Sequence, residues 1–337
     1  MKVGITYDLR DDYLAQGYSL EETAEFDRLD TIEAVDNALK QAGFTTDRIG
    51  NVMSLVRRLA GGNRWALVFN IAEGMYGIGR EALVPALLDA YRIPYTFSDP
   101  LILALTLHKG MTKSVLRDAG IPTALFDVVK TMSDVDELML AYPLFAKPIG
   151  EGTGKGINEA SLVNNKKELR TTCLCLLKEF GQPVLVEEFL PGREFTVGIV
   201  GTGDDSAVVG VMEILFKREK DSKIYSFVTK SDYQERIEYH VPDPDVRAKC
   251  VDLALASWKV LGCRDGGRID IRMDKEGEPN FIEVNPLAGL NPIHSDLPIL
   301  CRLNAISYQE LIERIMNSAL KRINNAKTAD GYHSQSR

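Results

Sequence analysis

Nowhere in the 337 residues is there an apolar run long enough to span a bilayer, and the amino terminus turns acidic at Asp8 before any signal-like stretch develops. The expectation is a soluble, cytoplasmic chain with no membrane partner. Cysteine is sparse and odd in number: of Cys173, Cys175, Cys250, Cys263 and Cys301 only the first two lie close together. That excludes a disulfide framework and leaves no second pair to complete a zinc site, so buried free thiols in a reducing cytosol are expected. The histidines (His108, His240, His294, His333) are too scattered to suggest a metal cluster. Positive charge is in deficit, with a formal net charge of -8, which argues against nucleic acid as a partner. A nucleotide would be a small ligand held by a few placed cations. No internal repeat is present, and no dinucleotide glycine fingerprint follows the first strand, which removes a nicotinamide-dependent oxidoreductase.

What is present is an alternation of strand-like and helix-like stretches. Val3–Tyr7 reads as a strand, and Ile32, Val35, Ala38 and Leu39 fall at helical spacing, with Asp30 and Glu33 suiting a capping box and Gly43 a stop. A second strand, Trp65–Ile71, and a helix from Glu81 to Tyr91 complete a parallel α/β unit. Further on, Leu105–Ala119 reads as one helix, Leu144–Lys147 as a strand, Lys166–Phe180 as a helix and Val184–Glu187 as a strand. A strand-rich part begins at Glu194 and includes a polar, mobile-looking stretch from Lys217 to Tyr239. Helices at Val246–Leu261 and Tyr308–Ile323 follow, and the last residues read as a disordered tail. The expected divisions are 1–103, 104–190, 191–325 and the tail 326–337.

Three stretches carry chemistry. In Arg268–Arg272 and Phe281–Asn285, strand alternation puts Ile269, Ile271, Ile282 and Val284 on a buried face and Arg268, Asp270, Glu283 and Asn285 on the other. Two carboxylates and an amide suit Mg²⁺, and Arg268 can stabilise charge on a phosphoryl group or oxyanion. A surface hairpin with a solvated salt-bridge face fits the same pattern. Lys147 ends a strand just before four glycines in seven residues, Gly150 to Gly156, whose N–H groups can fold over phosphates. This is not a P-loop, because position 149 is not glycine and Gly156 stands where Ser or Thr is needed; an ordinary tight turn is the other reading. Glu187–Glu194 reads as an interdomain hinge whose exposed backbone can read an adenine edge, or as an acidic loop.

These stretches occur in the order characteristic of ATP-grasp enzymes. Phe145–Ala146–Lys147–Pro148 through Gly156, Gly192–Arg193–Glu194–Phe195–Thr196–Val197 and Asn285–Pro286–Leu287–Ala288–Gly289–Leu290 more closely resemble the D-alanine–D-alanine ligase family. The resemblance implies an ATP-grasp fold, α/β (α+β) with an N-terminal parallel α/β domain, an ADP-forming carboxylate–amine ligase acting through an acyl-phosphate, and a homodimer. It implies ATP and two Mg²⁺, with Mn²⁺ able to substitute, and small-molecule acid and amine substrates.

Position by position, it implies that Lys109 and Lys147 contact ATP phosphates under the loop of Gly152, Thr153 and Gly154. Glu187, Glu188, Phe189 and Leu190 would border adenine and Glu194 the ribose, while Asp270, Glu283 and Asn285 would hold the metals. Lys230 would close over the γ-phosphate, Arg268 and the Gly289 backbone would form the oxyanion site, and Ser295 would contact the acceptor carboxylate. The departures lie on the substrate side or in the loops that close over it. Tyr7–Asp8–Leu9–Arg10 replaces the amino-terminal glycine-pair loop, with Glu25 a candidate for its glutamate. Glu73 stands where family members often have histidine, Thr153 for the loop serine, Ser231 for the tyrosine after the mobile-loop lysine, and Asp296 for an apolar residue against the acceptor methyl. An acid at 296 points toward a polar or cationic acceptor. The substrate pair is therefore open between another acid and amine and D-alanine twice, and an ATP-binding regulatory protein is the alternative outside catalysis.

Overall fold

The computed structural model describes residues 1–216 and 237–334. The first sheet is parallel, with β1 (Lys2–Tyr7) between β2 (Thr45–Gly50) and β3 (Leu67–Ile71). Val3 and Ile5 are fully buried under helix α2 (Leu29–Gln41), which follows a short α1 (Arg10–Leu14) and turns Ile32, Val35, Ala38 and Leu39 inward as their spacing predicts. The expected capping box does not form. The helix starts at Leu29 from Arg28 without a side-chain cap, because the Asp30 carboxylate accepts instead from the Thr31 N–H and from Asn291. Gly43, at φ +85°, does sit just past the helix end.

No element was expected over strand β2 and helix α3 (Val52–Ala60), although Leu55 and Leu59 stand at helical spacing and form the buried face of α3. Of the β2 side chains only Ile49 is buried, and this edge strand is held by Asp47, which pairs with Lys2 at 2.9 Å and Arg58 at 2.7 Å. Helix α4 (Leu83–Ala90) follows a 3₁₀ turn at Arg80–Ala82.

The single helix expected at Leu105–Ala119 is two. Helix α5 (Pro100–Leu107) stops at His108, whose backbone leaves the helical region and whose Nδ1 accepts the Met111 N–H, capping α6 (Lys109–Asp118). The break starts the second helix at Lys109. The boundary expected at 103/104 falls inside α5, and Ile102, Leu105 and Leu116 all pack into the core of the C-terminal sheet.

The central sheet is antiparallel, in the order β4 (Phe126–Val129), β7 (Val184–Glu188), β5 (Leu144–Pro148), β6 (Leu162–Val163), with α7 (Met132–Glu137) and α8 (Lys166–Phe180) packed on it. The C-terminal sheet is also antiparallel, in the order β10 (Ile237–His240), β9 (Ala207–Phe216), β8 (Glu194–Val200), β11 (Gly266–Met273), β12 (Pro279–Asn285). Helix α9 (Pro244–Leu261) buries Trp258 completely against it. Glycine is needed at Gly267, where a Cβ would lie 2.8 Å from the Trp258 ring and 2.5 Å from the Asn285 carbonyl oxygen.

Helices α10 (Asp296–Leu303) and α11 (Tyr308–Ser334) close the chain. The last helix passes Ile323 and runs through most of the expected tail, since Asn324 to Ser334 contains no proline and only Gly331 to weaken it. Four of the five cysteines are buried and free as expected; Cys175 is exposed. Among the described residues no helix is long and apolar enough to cross a membrane.

Candidate active site

A cleft opens between the central and C-terminal sheets. Its central wall carries Lys147 and Glu187 on neighbouring strands, and the register pairs Lys147 with Leu185 and Phe145 with Glu187. Glu187 Oε1 lies 2.7 Å from Lys147 Nζ, and its Oε2 lies 2.7 Å from the ammonium of Lys113, a fully buried residue on α6. Burial alone would raise the Glu187 pKa, but the two lysines outweigh it and bring it down to about 2. Burial likewise lowers Lys113, only partly offset by Glu187. The side chain of Glu187 thus clamps the lysines and does not reach for a base. The sequence reading missed Lys113, although it stands one turn before the buried Leu116 on the same face of its helix.

Glu188, Phe189 and Leu190 also line this cleft. The N–H groups of Glu188 and Phe189 are taken, however, by the carbonyls of Leu125 at 2.9 Å and Pro143 at 3.0 Å, so neither is free to read an adenine edge. Arg272 spans the cleft, 4.9 Å from the Phe189 ring centre and 3.2 Å from Glu194. On the opposite wall the strand alternation fails at one point. A bulge between Asp270 and Ile271 pairs Ile271 with Phe281, so Phe281 takes the buried face and Ile282 faces the cleft beside Glu283.

The glycine loop is held from below by the N-terminal unit. Gly152 N–H donates to Glu25 Oε1 at 2.6 Å, and Arg80 donates to the Gly150 carbonyl at 2.9 Å while pairing with Glu25 at 2.9 Å. Lys155 pairs with Glu151 at 2.9 Å and Glu25 at 3.6 Å. Burial would raise the Glu25 pKa, yet Arg80 and Lys155 hold it below its ordinary value. The candidate for an ammonium-gripping glutamate is therefore occupied by two internal cations and a backbone N–H. Thr153 (φ +50°) and Gly154 (φ +75°) turn through the left-handed region, which is strained for threonine, and the Thr153 hydroxyl donates to the Gly152 carbonyl at 2.9 Å. Lys109 Nζ donates to the Glu151 carbonyl at 2.5 Å and lies 3.6 Å from Glu283.

On β11 and β12 the register sets Asp270 opposite Glu283 and Arg268 opposite Asn285. Asp270 Oδ1 accepts from the Thr196 hydroxyl at 2.9 Å, and Oδ2 accepts from Asn285 Nδ2 at 3.4 Å and pairs with Arg268. Two carboxylates and an amide on one face fit a hard divalent cation, which completes its shell from water and phosphate. Among the described residues no cluster of three or more His, Cys, Asp or Glu is arranged for a metal, so this set needs its amide and outside oxygens. Burial lowers the Arg268 pKa, but Asp270, Asp296 and Glu283 more than reverse it, and the guanidinium stays charged.

Beyond Arg268 a second chamber of about 700 Å³ is walled by Glu73, Glu81, Thr153, Arg268, Asn285 and Gly289, and it shares Lys109, Glu151, Gly152 and Glu283 with the cleft. Burial raises Glu73 well above the usual carboxylate range, reinforced by Glu81, Glu25 and Asp27. Burial also pushes Glu81 up to about 8, against the pull of Arg80 and with the push of Glu25. Neither glutamate has an ion-pair partner within 4 Å among the described residues. Glu81 was read only as part of a helix; its place next to Gly79–Arg80 was the available signal.

Ser295 and Asp296 stand behind this wall. A Cβ at Gly289 would come within 2.8 Å of Ser295 Oγ, which accepts the Asn291 N–H at 3.0 Å. Asp296 lies 3.8 Å from Arg268, so it faces a resident cation. That removes the unpaired acid from which a cationic acceptor was argued. Lys230 and Ser231 lie outside the described residues.

The family model described as "D-ala D-ala ligase C-terminus" matches residues 115–317. A D-alanine–D-alanine ligase of Marinomonas sp. is 34% identical over 252 residues, covering 73% of this chain and 76% of that protein. One from Haemophilus ducreyi is 31% identical over 295 residues, covering 85% and 91%. The crystal structure of the D-alanine–D-alanine ligase from Bacillus anthracis complexed with ATP superimposes with a TM-score of 0.72 at 22% identity, covering 97% of this chain and 99% of that one. That structural likeness supports the same fold.

Proposed function

From the premise that the chain belongs to the D-alanine–D-alanine ligase family, ATP-grasp enzymes that form a carbon–nitrogen bond with release of ADP, we propose that it joins an ammonium-bearing carboxylic acid to an amine. The observation that carries the reading is the junction at Lys109 and Glu283. There a cleft lined by Lys109, Lys147, Asp270 and Glu283 meets a chamber lined by Arg268, Asn285 and two carboxylates without ion-pair partners among the described residues. In this reading Lys109 and Lys147 hold the phosphates of ATP, the bulge-exposed Ile282 and Phe189 enclose the base, and Glu194 faces the ribose. Asp270, Glu283 and Asn285 would hold Mg²⁺, which when bound screens the charge of the transferring phosphoryl group.

The substrate carboxylate attacks the γ-phosphorus of ATP, giving an acyl-phosphate and ADP. The amine then attacks the acyl carbon, phosphate leaves and the amine loses a proton. Arg268 and the Gly289 N–H face the oxyanion that forms in the second step, and the chamber walls keep water away from the acyl-phosphate. No protein nucleophile is required, so positioning dominates.

Phosphate release from MgATP against D- and L-amino acids, offered singly and in pairs with products confirmed by mass, tests the reading. Turnover with one pair names the substrates, and D-alanine alone giving the dipeptide would restore the cell-wall pair. ATP binding without turnover across the matrix would sink the ligase reading in favour of a regulatory ATP-binding protein.

The two chamber glutamates make a pH prediction. A cationic substrate binds their ionised form best, and Glu81 with a pKa of about 8 is largely protonated at neutral pH in the free protein. The KM for the ammonium-bearing substrate is expected to fall by up to about tenfold between pH 7 and pH 9, and Glu81→Gln should flatten the profile. A KM that is flat or rises over that range in the unsubstituted protein removes Glu81 from substrate recognition.

A further inference from the structure

We infer that Asp296 is a positioning residue, the second anchor of Arg268, which takes the guanidinium when a divalent cation claims Asp270; this rests on the metal role proposed above. Both oxygens of Asp270 are already engaged. Its Oδ1 is held by Thr196, and its Oδ2 is the oxygen that faces Arg268 and Asn285. A cation that ligates Asp270 through Oδ2, the oxygen turned toward Asn285, displaces the guanidinium from it.

Arg268 is only 11% exposed and cannot shed its proton, so a displaced guanidinium without a new partner would be a buried unpaired charge. Asp296 is the carboxylate in reach, 12% exposed and 3.8 Å from the Arg268 guanidinium. A shift of about 1 Å brings that contact to charge-assisted hydrogen-bond length.

The anchor itself is fixed. Asp296 opens α10, where the helix dipole favours a negative charge, and the Ile299 N–H closes the first turn on the Ser295 carbonyl at 3.1 Å. The preceding loop is tied to α2 by Asn291, which donates to Asp30 and Thr31 at 3.1 and 3.0 Å. With Asp296 in place, Arg268 keeps its position beside Gly289 whether or not Asp270 is engaged by metal. Without it, Arg268 falls back on Asp270 and competes with the cation.

The test is Mn²⁺ binding in the presence of ADP, followed by the paramagnetic resonance of free Mn²⁺, in the full-length wild type, Asp296→Asn, Asp296→Glu, Arg268→Gln and the Asp296→Asn/Arg268→Gln double variant. Asp296→Asn is expected to weaken Mn²⁺ binding about tenfold or more, with Asp296→Glu restoring most of it. In the Arg268→Gln background the same change should have little further effect, because there is no guanidinium left to compete. Unaltered Mn²⁺ affinity in Asp296→Asn would overturn the inference. So would an equal loss in the Arg268→Gln background, which would mean that Asp296 acts only through its charge. If Arg268→Gln does not fold, the comparison of Asp296→Asn with Asp296→Glu still decides whether the carboxylate is needed. A wild type that binds no Mn²⁺ with ADP would instead remove the metal role itself, a failure visible before any variant is made.

Discussion

Glu187→Gln is expected to lower the stability of the protein by about 3–5 kcal/mol, the range for breaking a buried ion pair by removing one partner. The substitution preserves shape and removes only the charge that lies between Lys113 and Lys147, at 2.7 Å from each. Lys113 is wholly buried, so its ammonium has no solvent to turn to. The urea midpoint should fall with little change in slope, and a midpoint close to that of the wild type would show that the lysines find other partners. The sign with pH is fixed as well. The Glu187 pKa falls from an ordinary 4.5 to about 2 on folding, so its stabilisation is complete above pH 4.5 and is lost as pH falls toward 2. The variant should therefore differ most from the wild type near neutrality and approach it in acid.

Arg268→Met is expected to reduce kcat by about 10²- to 10³-fold, the usual loss when one group facing a developing oxyanion is removed, while the KM for ATP stays within a few fold. The split follows from position: Arg268 lines the chamber proposed for the substrate and is absent from the wall of the cleft proposed for the nucleotide. Arg268→Lys should recover little, since a point charge cannot meet Asp270, Asp296 and an oxyanion with one planar fork. A loss confined to the KM for ATP would place Arg268 on the nucleotide and off the oxyanion. Steady-state kinetics with the substrate pair from the phosphate-release matrix decides between them.

The polar face of β11 and β12 was legible because regular strands advertise their faces. Arg268, Asp270, Glu283 and Asn285 were assigned to one side from alternation alone, and the register places them there. The same rule misplaced Ile282, because a bulge is one extra residue with no compositional mark, and it reverses every assignment on one side of it. Helix α6 was half-read for a related reason. His108 ends one helix and caps the next, and Leu105 to Ala119 carries no glycine or proline before Gly110 to signal the break.

Lys113 and Glu81 escaped because burial of a charged side chain is decided by partners distant in sequence, Glu187 and the glycine-loop side of the chamber, which no local window contains. Asp296 was seen, but its partner was not: the arginine that faces it stands 28 positions earlier, on a strand brought alongside only by the sheet. Edge strand β2 offered polar residues where a strand was needed, and it holds through partners outside the strand: Asp47 with Lys2 and Arg58, Arg48 with Asp36, and Ile49 in the core.

The two chambers have a common partition, built from Lys109, Glu151, Gly152 and Glu283. A ligand on either side settles against residues that also face the ligand on the other side, so the two occupancies are expected to be coupled. Thermodynamic reciprocity then fixes the outcome: by whatever factor bound nucleotide changes the grip on the acid, bound acid changes the grip on nucleotide by the same factor.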